Sequence, residues 1–361
     1  MTNADNSAPG APSATDTRRA SLWGRFEGAN IAFASRTAAA ALFALWLAMK
    51  WQLDTPRWAA WTAISLALPT RGIVAAKGLW RAGGTLVGLG AGMAAVALFA
   101  QSPVAMGLAL SLWFAVNAYV GGRLPGLASY GAALSGLTAG LVVVLAAPAP
   151  LSIFALAMAR GADILLGIAC VYAVSAIAEG LQGPPPTPVA PPVTPATKAQ
   201  VTGNALRAFV VVGVSWAIWM ATAWPSGGIF AVFAGVVAIF FATMPDPDLR
   251  ARGYMWGVAL GQGLGIFVKY ALLDGPASFG WLAVVLAPFI FIGAVGVTDA
   301  RTAAAAIGYN LSFLLAVDPD NPMQYDLLSS INESAAIFAG IAFGVLGYRV
   351  ILPERIWRTA Q

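Results

Sequence analysis

Histidine is absent from this chain, Cys170 is its only cysteine, and charged residues fill just 10% of its 361 positions. Each shortage excludes something. A lone cysteine closes no internal disulfide, and without histidine neither thiol–imidazole catalysis nor the usual zinc sites can be assembled. No nucleophile–base pair or metal-ligand set is visible, so the sequence points away from an enzyme and asks for no metal or cofactor. Soluble domains carry about 25% charged residues, whereas this chain is 59% hydrophobic, with a mean hydropathy of +0.76. No water-soluble core hides that much apolar sequence, so the solvent is lipid. Cys170 lies in an apolar run and reads as a small core hydrophobe. The net charge of +5 does not indicate nucleic acid, because the basic residues stand singly at the ends of apolar runs and only Arg18 and Arg19 are adjacent. That is the pattern of topology signals.

A helix needs about 20 apolar residues to cross about 30 Å of hydrocarbon. Twelve runs are candidates: 32–51, 56–70, 79–100, 103–121, 125–147 and 151–178, then 205–223, 227–244, 251–273, 277–297, 299–317 and 328–352. The first 30 residues are polar and read as a cytoplasmic tail before a retained first helix. Residues 31–180 form one membrane unit and 201–352 a second. Between them, 181–200 is rich in proline (Pro184, Pro185, Pro186, Pro188, Pro191, Pro192, Pro195) and reads as a semi-rigid spacer. Residues 353–361 are a cytoplasmic stub.

The two units echo each other. Arg36 and Arg81 are 45 residues apart, and so are Arg207 and Arg252. Six helices per unit is an even number, so the copies share one orientation about an axis along the membrane normal. With the N-terminus inside, sixteen of the twenty Lys and Arg residues fall on the cytoplasmic side; Lys50, Arg57 and Lys269 fall outside, and Arg160 falls within a helix. The expected fold is therefore all-α and polytopic: about twelve transmembrane helices as two parallel six-helix repeats, both termini cytoplasmic. The second run is odd. From Trp58 to Pro69 it is short and closed by Pro69 and Gly72. It is either a broken helix lining a site or a tilted ordinary one.

Arg160 is the sharpest chemical signal. It lies nine residues into its run, roughly 14 Å deep, where an arginine is costly and faces a cavity or a partner. Asp163 shares its helical face. Either the two neutralise each other and lock helices together, or Arg160 binds an anionic substrate with Asp163 beside it. Sliding the second unit by 173 residues aligns Gly167 with Gly340 and Arg160 with Glu333. Glu333 is the first candidate for a proton-carrying carboxylate facing Arg160 across the repeat axis, since burial lets a carboxylate take up protons; the alternative is a solvated Glu333 near the outer surface.

Gly84, Gly88 and Gly92 recur at four-residue spacing, as do Gly257, Gly261 and Gly265, which lets helices approach closely. Trp46, Trp51, Trp58 and Trp61 cluster near the first outer loop, and Trp216, Trp219 and Trp224 near its counterpart. They form either an interfacial belt or, with Trp58 and Trp61 foremost, a stacking vestibule for aromatic substrates. Tyr130 and Tyr309 are intramembrane hydroxyls that either reach a substrate or bond a nearby carbonyl.

Arg36, Pro56-Arg57-Trp58-Ala59-Ala60-Trp61-Thr62, Pro69-Thr70-Arg71-Gly72 and Arg81-Ala82-Gly83-Gly84-Thr85-Leu86-Val87-Gly88 resemble, in order and spacing, the fusaric acid resistance family, also called the aromatic acid exporter family. Arg36, Thr62, Arg81, Gly84, Thr85 and Gly88 stand at the family's motif positions. The second unit is a diverged copy, with Ile229 and Phe233 where the first has Trp58 and Thr62. The resemblance implies an inner-membrane exporter of aromatic carboxylic acids or related amphipathic toxins. It also implies drive from the proton motive force and work with a periplasmic membrane-fusion adaptor and an outer-membrane channel. Large cytoplasmic domains found in longer members are absent from this sequence.

Three functions stay open. An exporter needs a binding group, a proton carrier and two moving halves. An anion channel needs Arg160 but no coupling carboxylate. A non-transporting membrane subunit of an efflux complex needs neither. Self-association into a homo-oligomer is compatible with each.

Overall fold

The computed structural model describes residues 27–70, 72–182, 196–275 and 278–352. Residues 1–26 of the expected tail, 183–195 of the expected 181–200 linker, Arg71 and the stub lie outside the described residues. Those residues form twelve α-helices and no strand. The first half holds α1 (Gly28–Lys50), α2 (Arg57–Leu66), α3 (Val74–Phe99), α4 (Pro103–Arg123), α5 (Leu127–Ala146) and α6 (Ile153–Gln182). The second holds α7 (Lys198–Thr222), α8 (Gly227–Phe240), α9 (Pro247–Phe267), α10 (Phe279–Val297), α11 (Ala303–Val317) and α12 (Leu327–Val350). A π-helical segment, Val268–Leu272, extends α9.

Local chemistry sets the boundaries. α4 starts where the Ser102 hydroxyl accepts the Ala105 N–H and Pro103 supplies a preset first turn. Thr197 and Gln200 close a reciprocal capping box on α7. Asp326 accepts the Ser329 N–H at the start of α12. Left-handed residues stop the chain at Ala223 after α7 and at Asp318 after α11.

Eight helices are long and apolar enough to cross a membrane: α1, α3, α4, α5, α6 with its leading turn, α7, α10 and α12. The expectation of twelve full crossings is corrected for three of the other four; α9, with 21 residues, is long enough but is not among the eight. α2 has 10 residues, α8 has 14 and α11 has 15, too short at 1.5 Å per residue for a layer of about 30 Å. All three are largely buried among longer helices. Long apolar side chains such as Leu79, Leu98, Phe154, Ile177 and Leu328 point outward instead, as a lipid-facing perimeter requires.

Helix pairing follows the small residues. α3 packs on α5, and α9 on α11. A Cβ on Gly88 would stand 2.6 Å from the Ser135 carbonyl oxygen, and one on Gly265 would stand 2.7 Å from that of Phe313. α4 lies on α7, and α10 on α1; α2 lies on α6, and α8 on α12. A Cβ on Gly167 would collide with the Ala59 carbonyl of α2, and one on Gly340 with the Phe230 carbonyl of α8.

Polar links assign the helix ends. Arg36 Nη2 donates to the Leu68 carbonyl, and Arg81 on α3 reaches Tyr130 on α5. Ser129 bonds Thr243 beyond α8, and Asn204 on α7 bonds Ala242. Arg207 holds the carbonyls of Ile351 and Leu352 after α12. One end of the bundle, here the terminal end, thus gathers the starts of α1, α3, α5 and α7 and the finish of α12. The opposite, distal end holds the start of α2 and the ends of α1, α9 and α11.

Candidate functional site

Arg160 lies in α6 and is 4% exposed. Its guanidinium carbon stands 3.9 Å from the ring centre of Trp58, a close cation–π contact. Among the described residues it makes no hydrogen bond and no ion pair, and its Nε is buried without a partner. The expected Arg160–Asp163 ion pair is therefore not formed. Asp163 is fully buried, accepts a 2.6 Å hydrogen bond from the Thr55 hydroxyl on Oδ2, and leaves Oδ1 unpartnered.

From Arg160 an aromatic column runs along α2. Trp58 meets Trp61 edge-on at 5.5 Å between ring centres. Arg81 covers the far side of Trp61 at 5.2 Å. The Arg81 guanidinium donates 2.9 Å hydrogen bonds to the hydroxyls of Ser65, Tyr130 and Thr62. Lys77, one turn earlier on α3, donates to the Ser65 carbonyl at 2.6 Å and covers the Tyr130 ring at 5.0 Å. Arg160, Trp58, Trp61, Thr62, Arg81 and Tyr130, all singled out from sequence, are thus one connected cluster. Trp61 Nε1, Arg81 Nε and the Thr85 hydroxyl are buried donors without partners inside it. Buried polar atoms are seldom left unpaired, so their concentration here distinguishes this column from ordinary core.

Three expected residues stand elsewhere. Glu333 is exposed on the first turns of α12 and forms no ion pair. Among the described residues no contact joins it to Arg160; its charge acts on Arg57 and Lys269. Tyr309 is buried on α11 and stacks on Phe313 at 5.9 Å, with no hydrogen bond or ring contact to the Arg160 cluster. Arg36 sits beside the column, over the Phe33 ring and bonded to the Leu68 carbonyl. Gly84 lies under the Gly131 backbone. Of the tryptophans, Trp46 and Trp51 are exposed while Trp58 and Trp61 are buried, so the expected cluster divides into perimeter and interior.

Sequence reasoning missed the outer charge set. Arg57 and Lys269 read only as cations on the outer side. Arg57, at the start of α2, forms an ion pair and hydrogen bond with Asp318 at the end of α11. Lys269 is 2% exposed inside the π-helical segment, with Nζ 3.7 Å from the other Asp318 oxygen. Lys77 was visible as a cation one turn before Arg81. The Arg57–Asp318 pairing was not visible, because 261 residues separate its members. A cavity of about 300 Å³ opens at this distal end between Gln52–Asp54 and Asp320–Gln324. No group of three or more His, Cys, Asp or Glu able to hold a metal occurs among the described residues.

The family model described as the Fusaric acid resistance protein family matches residues 30–184 and 186–361. The chain belongs to that family. It is 34% identical over 154 residues to an uncharacterized transporter of Gluconobacter oxydans (strain 621H), covering 43% of this chain and 21% of that relative. It is 30% identical over 157 residues to the p-hydroxybenzoic acid efflux pump subunit AaeB of Escherichia fergusonii, covering 41% of this chain and 24% of the relative. To the AaeB subunit of Escherichia coli O1:K1 it is 32% identical over 150 residues, 39% and 23% respectively. The aligned region thus spans between a fifth and a quarter of these relatives' length. No solved structure matches the chain.

Proposed function

We propose that this chain is the membrane unit of a secondary transporter that exports aromatic carboxylic acids or related amphipathic compounds, driven by protons. The observation that carries the reading is Arg160: a cation 4% exposed, with no hydrogen bond or ion pair among the described residues, stacked on Trp58 at 3.9 Å. A buried ion is tolerated where a counter-charge arrives. A ring-bearing carboxylate supplies both the charge for Arg160 and a ring for Trp58 and Trp61. Family membership and the p-hydroxybenzoic acid pumps among the relatives support the same class.

The carboxylate suited to carry the proton is Asp163. It is buried beside Arg160 with one oxygen free, so a substrate anion at Arg160 and a proton on Asp163 influence each other directly. The exposed Glu333 lacks the burial that role needs. The moving parts are two six-helix halves related by a twofold axis. Their matched pairings support this division: α3–α5 with α9–α11, α4–α7 with α10–α1, and α2–α6 with α8–α12. The short α2 and α8 are the broken helices at the centre of each half. Arg36, Lys77, Arg81, Arg123, Lys198, Arg207, Arg250, Arg252 and Arg349 all belong to the terminal end, which by the positive-inside rule faces the cytoplasm of an inner membrane. A periplasmic adaptor, and through it an outer-membrane channel, are the partners this arrangement calls for.

The test is efflux of p-hydroxybenzoate from liposomes carrying the protein or Arg160→Met. The reading expects carboxylate flux in the wild type and its loss in the variant. Undiminished flux in Arg160→Met would refute the role of this arginine.

A further inference from the structure

Lys77 and Arg81 stand one turn apart on α3, 9% and 2% exposed. Four cations elsewhere are matched with carboxylates. Arg57 and Lys269 share Asp318, and Arg252 and Arg349 share Asp248. Arg252, which holds in the second half the place that Arg81 holds in the first, is 40% exposed and 2.9 Å from its acid. Lys77 and Arg81 have no acid among the described residues. Their partners are neutral: the Ser65 carbonyl, three hydroxyls, and the rings of Tyr130 and Trp61. Like charges one turn apart repel, and burying them unpaired is costly. Three donors around them, Arg81 Nε, Trp61 Nε1 and the Thr85 hydroxyl, are buried with nothing to bond. Close by, Pro69 and Thr70 are exposed in the turn after α2.

We propose that Lys77 and Arg81 form a second anion site, a loading station that takes the carboxylate of a ring-bearing acid before it reaches Arg160. The carboxylate lies between the Lys77 ammonium and the free Nε edge of Arg81, and the ring lies against Trp61 and Tyr130. Trp61 and Trp58 then bridge the two stations. They differ in a useful way. At Arg160 the arriving anion meets Asp163, buried on the same helix, so a carboxylate of the protein competes with it. At Lys77 and Arg81 there is no competitor. The site's role as the point of entry rests on the export reading; its capacity to bind a carboxylate does not.

The experiment is benzoate binding to the full chain in lipid nanodiscs, by calorimetry and by tryptophan fluorescence, with benzyl alcohol as the neutral probe. Lys77→Gln removes one charge while leaving the Arg81 bonds in place. It is expected to weaken one class of benzoate site by about tenfold or more, the worth of a charge-assisted bond, and to leave benzyl alcohol unaffected. Lys77→Arg keeps the charge and is expected to restore affinity to within about threefold. Arg160→Met is expected to remove a different class of site and spare this one. A benzoate isotherm for Lys77→Gln that superimposes on the wild type would overturn the proposal, as would equal losses for benzoate and benzyl alcohol. If benzoate binds in this Lys77-dependent way but wild-type liposomes show no carboxylate flux, the loading site stands and the export reading falls. Flux that proceeds normally in Lys77→Gln sinks the loading station alone.

Discussion

Replacing Gly88 by alanine separates two opposing effects that the structure allows to be weighed. In a helix interior, glycine to alanine is worth about 0.5–1 kcal/mol of added stability. Gly90 on the same helix has open space where a Cβ would project, so Gly90→Ala should show that gain. A Cβ on Gly88 would instead stand 2.6 Å from the Ser135 carbonyl oxygen and 2.7 Å from Thr138 Cβ, whereas ordinary contact begins at 3.4 Å. The first obstacle is backbone, so α3 and α5 must part. Overpacking of this kind costs about 1–3 kcal/mol. Because the helix gain is common to both variants, the difference between them isolates the packing cost. The second half should repeat the contrast: Gly265→Ala meets the Phe313 carbonyl oxygen at 2.7 Å, while Gly263→Ala meets nothing. Thermal unfolding in nanodiscs, scored as paired shifts, is the assay. Parting α3 from α5 also stretches the 2.9 Å Arg81–Tyr130 bond, so Gly88→Ala should lose carboxylate binding as well as stability. A Gly88→Ala protein as stable as Gly90→Ala would refute the close approach of these helices and the anion site built across them.

Two further outcomes follow from the same reasoning. Arg160→Met should stay within about 2 kcal/mol of the wild type, since losing the buried charge removes a desolvation cost while a cation–π contact of about 2 kcal/mol is lost; an unfolding-energy drop well beyond that would make Arg160 a structural staple. At the start of α12, the Ser329 backbone N–H and then its hydroxyl hold the Asp326 carboxylate below its usual 3.8. With the folded value depressed, its contribution is present above the unfolded value and is lost as pH falls through the folded one. Amide exchange at Leu328 to Ser330 should therefore accelerate below about pH 4, and Asp326→Ala should exchange fast at every pH.

Much of this was legible in the chain because local physics dictated it. Apolar run length and punctuation placed the helices: 103–121 became Pro103–Arg123, and 277–297 became Phe279–Val297. Four-residue glycine spacing marked the α3–α5 and α9–α11 approaches. Arg160 stood out as a costly charge at membrane depth, Tyr130 as an intramembrane hydroxyl, Trp58 and Trp61 as aromatics near the outer loop and Arg81 as a motif and repeat position, and the fold joined them. What was hidden depends on pairing between distant segments or on irregular backbone. Nothing local reveals that Arg57 meets Asp318, nor that a π-helical segment turns Lys269 inward. Glu333 is exposed where Arg160 is buried, for a different reason. The 173-residue slide does carry Gly167 onto Gly340, each against the backbone of its own short helix. It transfers backbone position but not surroundings, and where Arg160 finds Trp58 the second half has Ile229.

Movement of p-hydroxybenzoate into liposomes, with an imposed pH gradient and without one, tests the central claim most directly when wild type and Asp163→Asn are run side by side. The account predicts uphill accumulation by the wild type only with the gradient, and simple equilibration by Asp163→Asn under both conditions. Accumulation by Asp163→Asn equal to the wild type would contradict Asp163 as the coupling carboxylate. Gradient-indifferent wild-type flux accompanied by current would replace the exporter with an anion channel.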